Sequence, residues 1–131
     1  MKKNYLLAFA AAISITLLFS CRHHNHGGSI GITISESGNV YKLEADYNED
    51  LTGKVQRYIN RQIQPSTLFT STDDYFDANT ELKDNTRFYI KSSPGRLQIK
   101  FNKNENSYES YTRIKAMYKG IANVLKEPQG Q

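Results

Sequence analysis

The stretch TRFYIKSSPGRLQIKFN, residues 86–102, decides the fold class. Phe88 and Ile90 alternate with Arg87, Tyr89 and Lys91, and Leu97, Ile99 and Phe101 alternate with Arg96, Gln98 and Lys100. Period-two alternation marks strands buried on one face. Between the two runs stands Ser93-Pro94-Gly95-Arg96, a sequence with turn chemistry. A turn centred on Pro94-Gly95 pairs Ile90 with Ile99 and Phe88 with Phe101. All the apolar side chains then point one way, and Arg87, Tyr89, Lys91, Arg96, Gln98 and Lys100 point the other. Such a hairpin requires a second layer over its apolar face.

Working outward, two segments can supply that layer. In NSYESYTRIKAMYKGIANVLKEP, residues 106–128, Tyr111, Ile114, Tyr118, Ile121 and Leu125 recur at helical spacing, and Met117 and Val124 widen the stripe. Asn106 with Glu109 resembles a capping box, and Pro128 stops the helix. In NEDLTGKVQRYINRQIQP, residues 48–65, Leu51, Val55, Tyr58, Ile59 and Ile63 form a second stripe. Asn48 or Asp50 caps it, Gly53 weakens its first turn, and Pro65 ends it. Lys54, Arg57 and Arg61 share one sector beside that stripe and read as a solvated flank, with an anion-facing surface as the sharper alternative.

SIGITISESGNVYKLEADY, residues 29–47, is a second hairpin. Ile30, Ile32 and Ile34 alternate, as do Tyr41, Leu43, Ala45 and Tyr47, around Ser37-Gly38-Asn39. A turn centred between Ser37 and Gly38 sets Ile34 opposite Tyr41 and Ile32 opposite Leu43. Residues 66–80 are the least regular part, and a short strand is expected near Glu81–Lys83, followed by a turn at Asp84-Asn85. The order is ββαβββα. It predicts an α+β fold, a two-layer sandwich with a mostly antiparallel sheet of about five strands and two helices on one face.

The N-terminus carries a different message. MKKNYLLAFAAAISITLLFSC opens with Lys2 and Lys3, followed by the 14 uncharged residues Leu6–Phe19 and the small Ser20. A membrane-spanning helix needs about 20 apolar residues, so this run has the length of an export-signal core instead. Leu18-Phe19-Ser20-Cys21 resembles the lipobox of bacterial lipoproteins. The resemblance covers residues 1–21 alone. It implies cleavage before Cys21, acylation of Cys21 and anchoring in a membrane of the bacterial envelope. Arg22 follows Cys21 where the family uses Asp for inner-membrane retention, so the resemblance implies the outer membrane. The expected organisation is a signal peptide at 1–20, the lipidated Cys21 with a flexible tether to residue 28, one domain over 29–127 and a tail at 128–131.

Cleavage would remove Lys2 and Lys3, leaving 15 basic against 13 acidic side chains, so the formal charge of +4 falls to +2. The basic balance therefore belongs largely to the precursor and does not indicate nucleic-acid binding. From Gly27 onward there is no His, Cys or Trp. That removes His-based acid–base catalysis, a Ser-His-Asp triad, a thiol nucleophile and a His/Cys zinc site from this segment. The expectation is a non-catalytic binding or structural module without a cofactor. Its candidate partner face is Arg87, Tyr89, Lys91, Arg96, Gln98 and Lys100, and its partner is an envelope protein or an anionic polymer. Edge-strand Lys and Arg that discourage aggregation are the plainer account of the same residues.

Two alternatives come from other residues. Asp73, Asp74, Asp77 and Glu81 are the candidates for a carboxylate-based hydrolase of envelope glycans, which needs two carboxyl groups roughly 5–10 Å apart. A metal or small-ligand carrier would use His23, His24 and His26, or Asp73 and Asp77 with Asn79 and Glu81 around calcium. The histidines lie in the Gly-rich RHHNHGGS stretch, which supplies no preorganised geometry, and the acidic stretch lacks the Gly of an EF-hand loop.

Overall fold

The computed structural model describes residues 19–21, 30–70 and 75–127. The α+β architecture and the order ββαβββα hold. Five antiparallel strands are β2 (Ile30–Ser37), β3 (Val40–Asp46), β4 (Phe76–Glu81), β5 (Arg87–Ser93) and β6 (Arg96–Asn102). A three-residue strand, β1 (Phe19–Cys21), pairs antiparallel with Ile30–Ile32 at one edge, so the sheet order is β1-β2-β3-β6-β5-β4. Two helices, α1 (Thr52–Gln62) and α2 (Tyr108–Lys126), complete the fold.

The β5–β6 hairpin has the expected register near its turn, where Ser93 faces Arg96 and Ile90 faces Ile99, but the ladder ends at Tyr89 and Lys100, so the expected pairing of Phe88 with Phe101 is not made. Gly95 takes φ +77, the left-handed value that the second position of a Pro-Gly turn requires. The β2–β3 register differs from expectation by two residues. Ser37 faces Val40 and Ile34 faces Leu43, because the turn uses Gly38 and Asn39 with Gly38 at φ +57. Gly adopts that φ at the least backbone cost, so it claims the first turn position. A slip of two keeps each side chain on its face, and the apolar row stays inward.

β4 lies earlier than expected, at Phe76–Glu81 rather than at Glu81–Lys83. Asp, Ala, Asn and Glu are poor strand formers, so the sequence carries little strand signal there. Cross-strand pairing with β5 holds it: Asp77 opposes Lys91, Asn79 opposes Tyr89 and Glu81 opposes Arg87. The turn that follows runs through Asp84 and Asn85, as the sequence indicates, with Asn85 at φ 68.

The core lies between the sheet and the helices. Leu43, Ile90, Leu97, Ile99 and Phe101 meet Val55, Ile59, Ile63, Ile114, Tyr118, Ile121 and Leu125, all at 1% exposure or less. The Tyr118 hydroxyl sits 3.0 Å from the Tyr41 carbonyl and 3.2 Å from the Ile99 carbonyl, and its ring stacks on Tyr41. Asn48 caps the 3-10 turn Glu49–Leu51 that leads into α1 by accepting from the Asp50 amide, while α1 itself starts after Leu51 with no side-chain cap. The cap of α2 is Ser107, which accepts from the Ser110 amide, and not Asn106. Asn106 is engaged elsewhere: its side chain accepts from the Arg87 amide at 2.7 Å and donates to the Arg87 and Asn102 carbonyls. It therefore fills the end of the β5–β6 ladder, whose paired registers stop at Tyr89 and Lys100.

Candidate functional site

The helices cover one face of the sheet and leave the other open. Strand alternation places Arg87, Tyr89 and Lys91 of β5 and Arg96, Gln98 and Lys100 of β6 together on that open face. The six residues grouped from the sequence are thus one surface. Its basic character is not what the hairpin alone suggests, because β3 and β4 flank it and contribute acids in register. Asp46 opposes Arg96 and Glu44 opposes Gln98 on one side, while Asp77 opposes Lys91 and Glu81 opposes Arg87 on the other.

The charges meet. Arg96 Nε donates to Asp46 Oδ1 at 2.9 Å, and Gln98 Nε2 to Glu44 Oε1 at 3.1 Å. Arg87 Nε lies 3.4 Å from Glu81 Oε2. Lys42 and Lys100 oppose each other directly across β3 and β6, an unfavourable like-charge pair. Each has its own relief: Lys42 binds Glu44 at 3.0 Å, and the Lys100 ammonium lies 5.6 Å from the Tyr89 ring centroid. The Tyr89 hydroxyl donates to Asp77 Oδ1 at 2.8 Å. The open face is a charge-matched ladder with one fixed aromatic ring near its centre. Exposed pairs of this kind contribute little stability each, roughly 0–1 kcal/mol, so their main consequence is the pattern they present.

Two shallow grooves mark the face. One, about 460 Å³, is bordered by Asp46, Tyr75, Lys91 and Arg96. The other, about 500 Å³, lies where β5 and β6 part around Asn106, and Glu81, Arg87, Tyr89, Lys100 and Asn102 line it. Asn102 and Glu105, which the sequence did not single out, share this groove with Asn79, which it offered only as a calcium ligand. The outward position of Asn102 continues the alternation of β6, but the neighbourhood of all three depends on where β4 lies and on the strand order β3-β6-β5-β4, which alternation does not reveal.

The remaining candidates separate. Asp73 and Asp74, and His23, His24 and His26, lie outside the described residues, as do most of the tether and the 128–131 tail. Asp77 and Glu81 stand on one face of β4, engaged by Tyr89 and Arg87 rather than converging on a point. Among the described residues, no three His, Cys, Asp or Glu side chains are placed to hold a metal ion. Cys21 ends β1, opposite Ile30. Among the described residues, no helix is long and apolar enough to cross a membrane. On α1, Lys54 pairs with Glu127 at 2.8 Å and Arg61 lies over Tyr58, so that sector is tied into the helical layer.

Among the described residues, three carboxylates have displaced pKa values, all downward. The Lys103 ammonium hydrogen-bonded to Glu36 lowers it against the opposing effect of burial. The Lys42 bond does the same for Glu44, with help from Gln98. Burial pushes Asp84 up, but hydrogen bonds from Thr86 and from Arg113 outweigh it. Arg113 also donates to the Gln62 carbonyl at 3.0 Å, joining α2, the end of α1 and the β4–β5 turn. A carboxylate lowered by folding contributes stability above its unfolded pKa of about 4, and that contribution is lost as pH falls through the lower folded value. Since no His follows His26, thermal melts from pH 2 to 8 should show a flat Tm above pH 5 and a decline below about pH 4. A transition centred near pH 6 would contradict this and implicate the histidines before Gly27.

No family model matches the chain, and neither the curated proteins nor the solved structures include a match to it.

Proposed function

We propose that the chain is a lipid-anchored, non-catalytic binding module of the bacterial envelope, held in the outer membrane through Cys21, which meets an envelope partner with its open sheet face. One observation carries the binding half of this reading. The sheet has one face covered by helices and one face left open, and the open face holds an ordered array of paired charges around Tyr89. The anchoring half rests on the lipobox-like Leu18-Phe19-Ser20-Cys21.

The charge matching changes the partner that this face suits. A bare cluster of Arg and Lys favours an anionic polymer. Arg87, Arg96, Gln98 and Lys42 already have acidic partners, which favours a protein or polymer surface without strong net charge. A carboxylate hydrolase of envelope glycans remains the second reading, because Glu81 and Glu105 line the same groove.

Photo-crosslinking in the native cells tests the binding reading. A photoreactive side chain at Tyr89 or Gln98, on the open face, should give a discrete adduct. The same group at Arg57 or Lys119, exposed on the helical layer, should give none. Equal adducts from both layers, or none from either, would remove the open face as the docking surface.

A further inference from the structure

We infer that the groove where β5 and β6 part is a docking site for an uncharged glycan strand, an inference that rests on the open face being the binding face. The groove exists for a structural reason. Beyond Tyr89 and Lys100 the β5–β6 ladder stops, and the Asn106 side chain satisfies the Arg87 amide and carbonyl in place of a strand partner. The strands part there, and the inward-facing Phe88 and Phe101 line the opening.

The walls carry two cross-strand rows. Asn79, Tyr89 and Lys100 form one, and Glu81 and Arg87 form the next, with Asn102 opposite Val40. The charges balance: Arg87 and Lys100 against Glu81 and Glu105. No net field selects an anion or a cation, so charge complementarity points to a neutral occupant. What the groove does offer is planar polar groups, the Asn79 and Asn102 amides and the Arg87–Glu81 pair, beside a half-exposed aromatic ring. Amides and guanidinium–carboxylate pairs supply the donors and acceptors that vicinal hydroxyls need. The ring's electron-rich π system, whose pull on a cation shows in the nearby Lys100 ammonium, also attracts the polarised C–H groups of a sugar ring. Asp77 and Lys100 hold Tyr89 in place before anything binds, which lowers the ordering cost. A volume of about 500 Å³ falls within the range of small-ligand sites.

Ile30, Asp46, Arg96 and Ser93 share one end of the sheet, and Ser37, Val40, Asn102 and Glu81 share the other. The groove therefore lies at the end of the sheet opposite Ile30, where β2 begins.

The test is amide NMR on the full chain in detergent micelles, titrated with cellotetraose, chitotetraose and mannotetraose, and with heparin as the anionic control. The expected result is about millimolar binding or tighter of at least one neutral oligosaccharide, with shifts confined to β4–β6 around Tyr89 and little change in roughly 0.5 M salt. Tyr89→Ala should weaken it about five- to tenfold, with Asn79→Ala as a second, independent variant. No shifts with any of the three, shifts unaffected by both variants, or binding of heparin alone would overturn the inference. Crosslinked protein adducts from Tyr89 would still stand in that case, so this site can fail while the open-face reading survives.

Discussion

Gly95→Ala is expected to destabilise the domain by about 2–4 kcal/mol, the larger of two effects that the turn glycines allow one to compare. Gly95 has φ +77, where an L side chain costs roughly 1–2 kcal/mol. A Cβ there would also lie 2.8 Å from the Tyr47 carbonyl oxygen, a backbone atom that cannot step aside alone. That contact sits inside a junction. The Tyr47 amide donates to the Gly95 carbonyl at 2.9 Å, and the Gly95 amide donates to the buried Thr52 hydroxyl at 2.8 Å. The tip of the β5–β6 hairpin is thereby fastened to the segment joining β3 to α1, and moving it loosens bonds worth about 1 kcal/mol each. Gly38 is the internal control. It has φ +57, but a methyl group there would meet nothing within 4 Å, so Gly38→Ala should cost about 1–2 kcal/mol. At roughly 4–8 °C per kcal/mol for a domain of this size, the two variants should differ by several degrees in Tm. Equal melting temperatures would contradict the junction.

The β5–β6 hairpin shows what local chemistry can specify. Pro94-Gly95 fixes the turn, the turn fixes the register, and the alternation of Phe88, Ile90, Leu97, Ile99 and Phe101 fixes the buried face. The two helices were equally legible from their apolar stripes. The β2–β3 hairpin was readable in its faces but not its register, because Ser37-Gly38-Asn39 admits two turn centres that differ by a face-preserving slip. β4 was misplaced because its residues are weak strand formers that depend on β5 for pairing. The six residues of the candidate face were found together, yet their electrostatics were not readable. Glu44, Asp46, Asp77 and Glu81 become their neighbours only through the strand order, which is set by packing at long range. The same holds for Asn106, which the sequence casts as a helix cap and the fold uses as a wedge between strands.

Cys21→Ser is expected to abolish acylation entirely, an all-or-none effect. On the proposed anchoring the Cys21 thiol is the nucleophile for the lipid, and as Cys21 is the only Cys in the sequence, no other thiol can substitute. Labelled palmitate fed to cells should enter the unaltered chain and not the variant. Two or more acyl chains anchor firmly, since each buried CH₂ contributes about 0.8 kcal/mol and a single chain is marginal. The unacylated variant would keep residues 1–20, with Leu6–Phe19 attached. Label in the variant would place the lipid elsewhere.

This bears on the sheet itself. Phe19 and Ser20 belong to β1, opposite Ile32 and Gly31. Cleavage before Cys21 would remove both and leave the mature sheet with five strands, β2 at its edge. The intact mass of the protein extracted from native membranes tests the anchored-module account most directly. The account predicts a chain beginning at Cys21 and heavier than its polypeptide by two or three acyl chains with their linking glycerol. A mass that retains Phe19 and Ser20, with no lipid on Cys21, would contradict it.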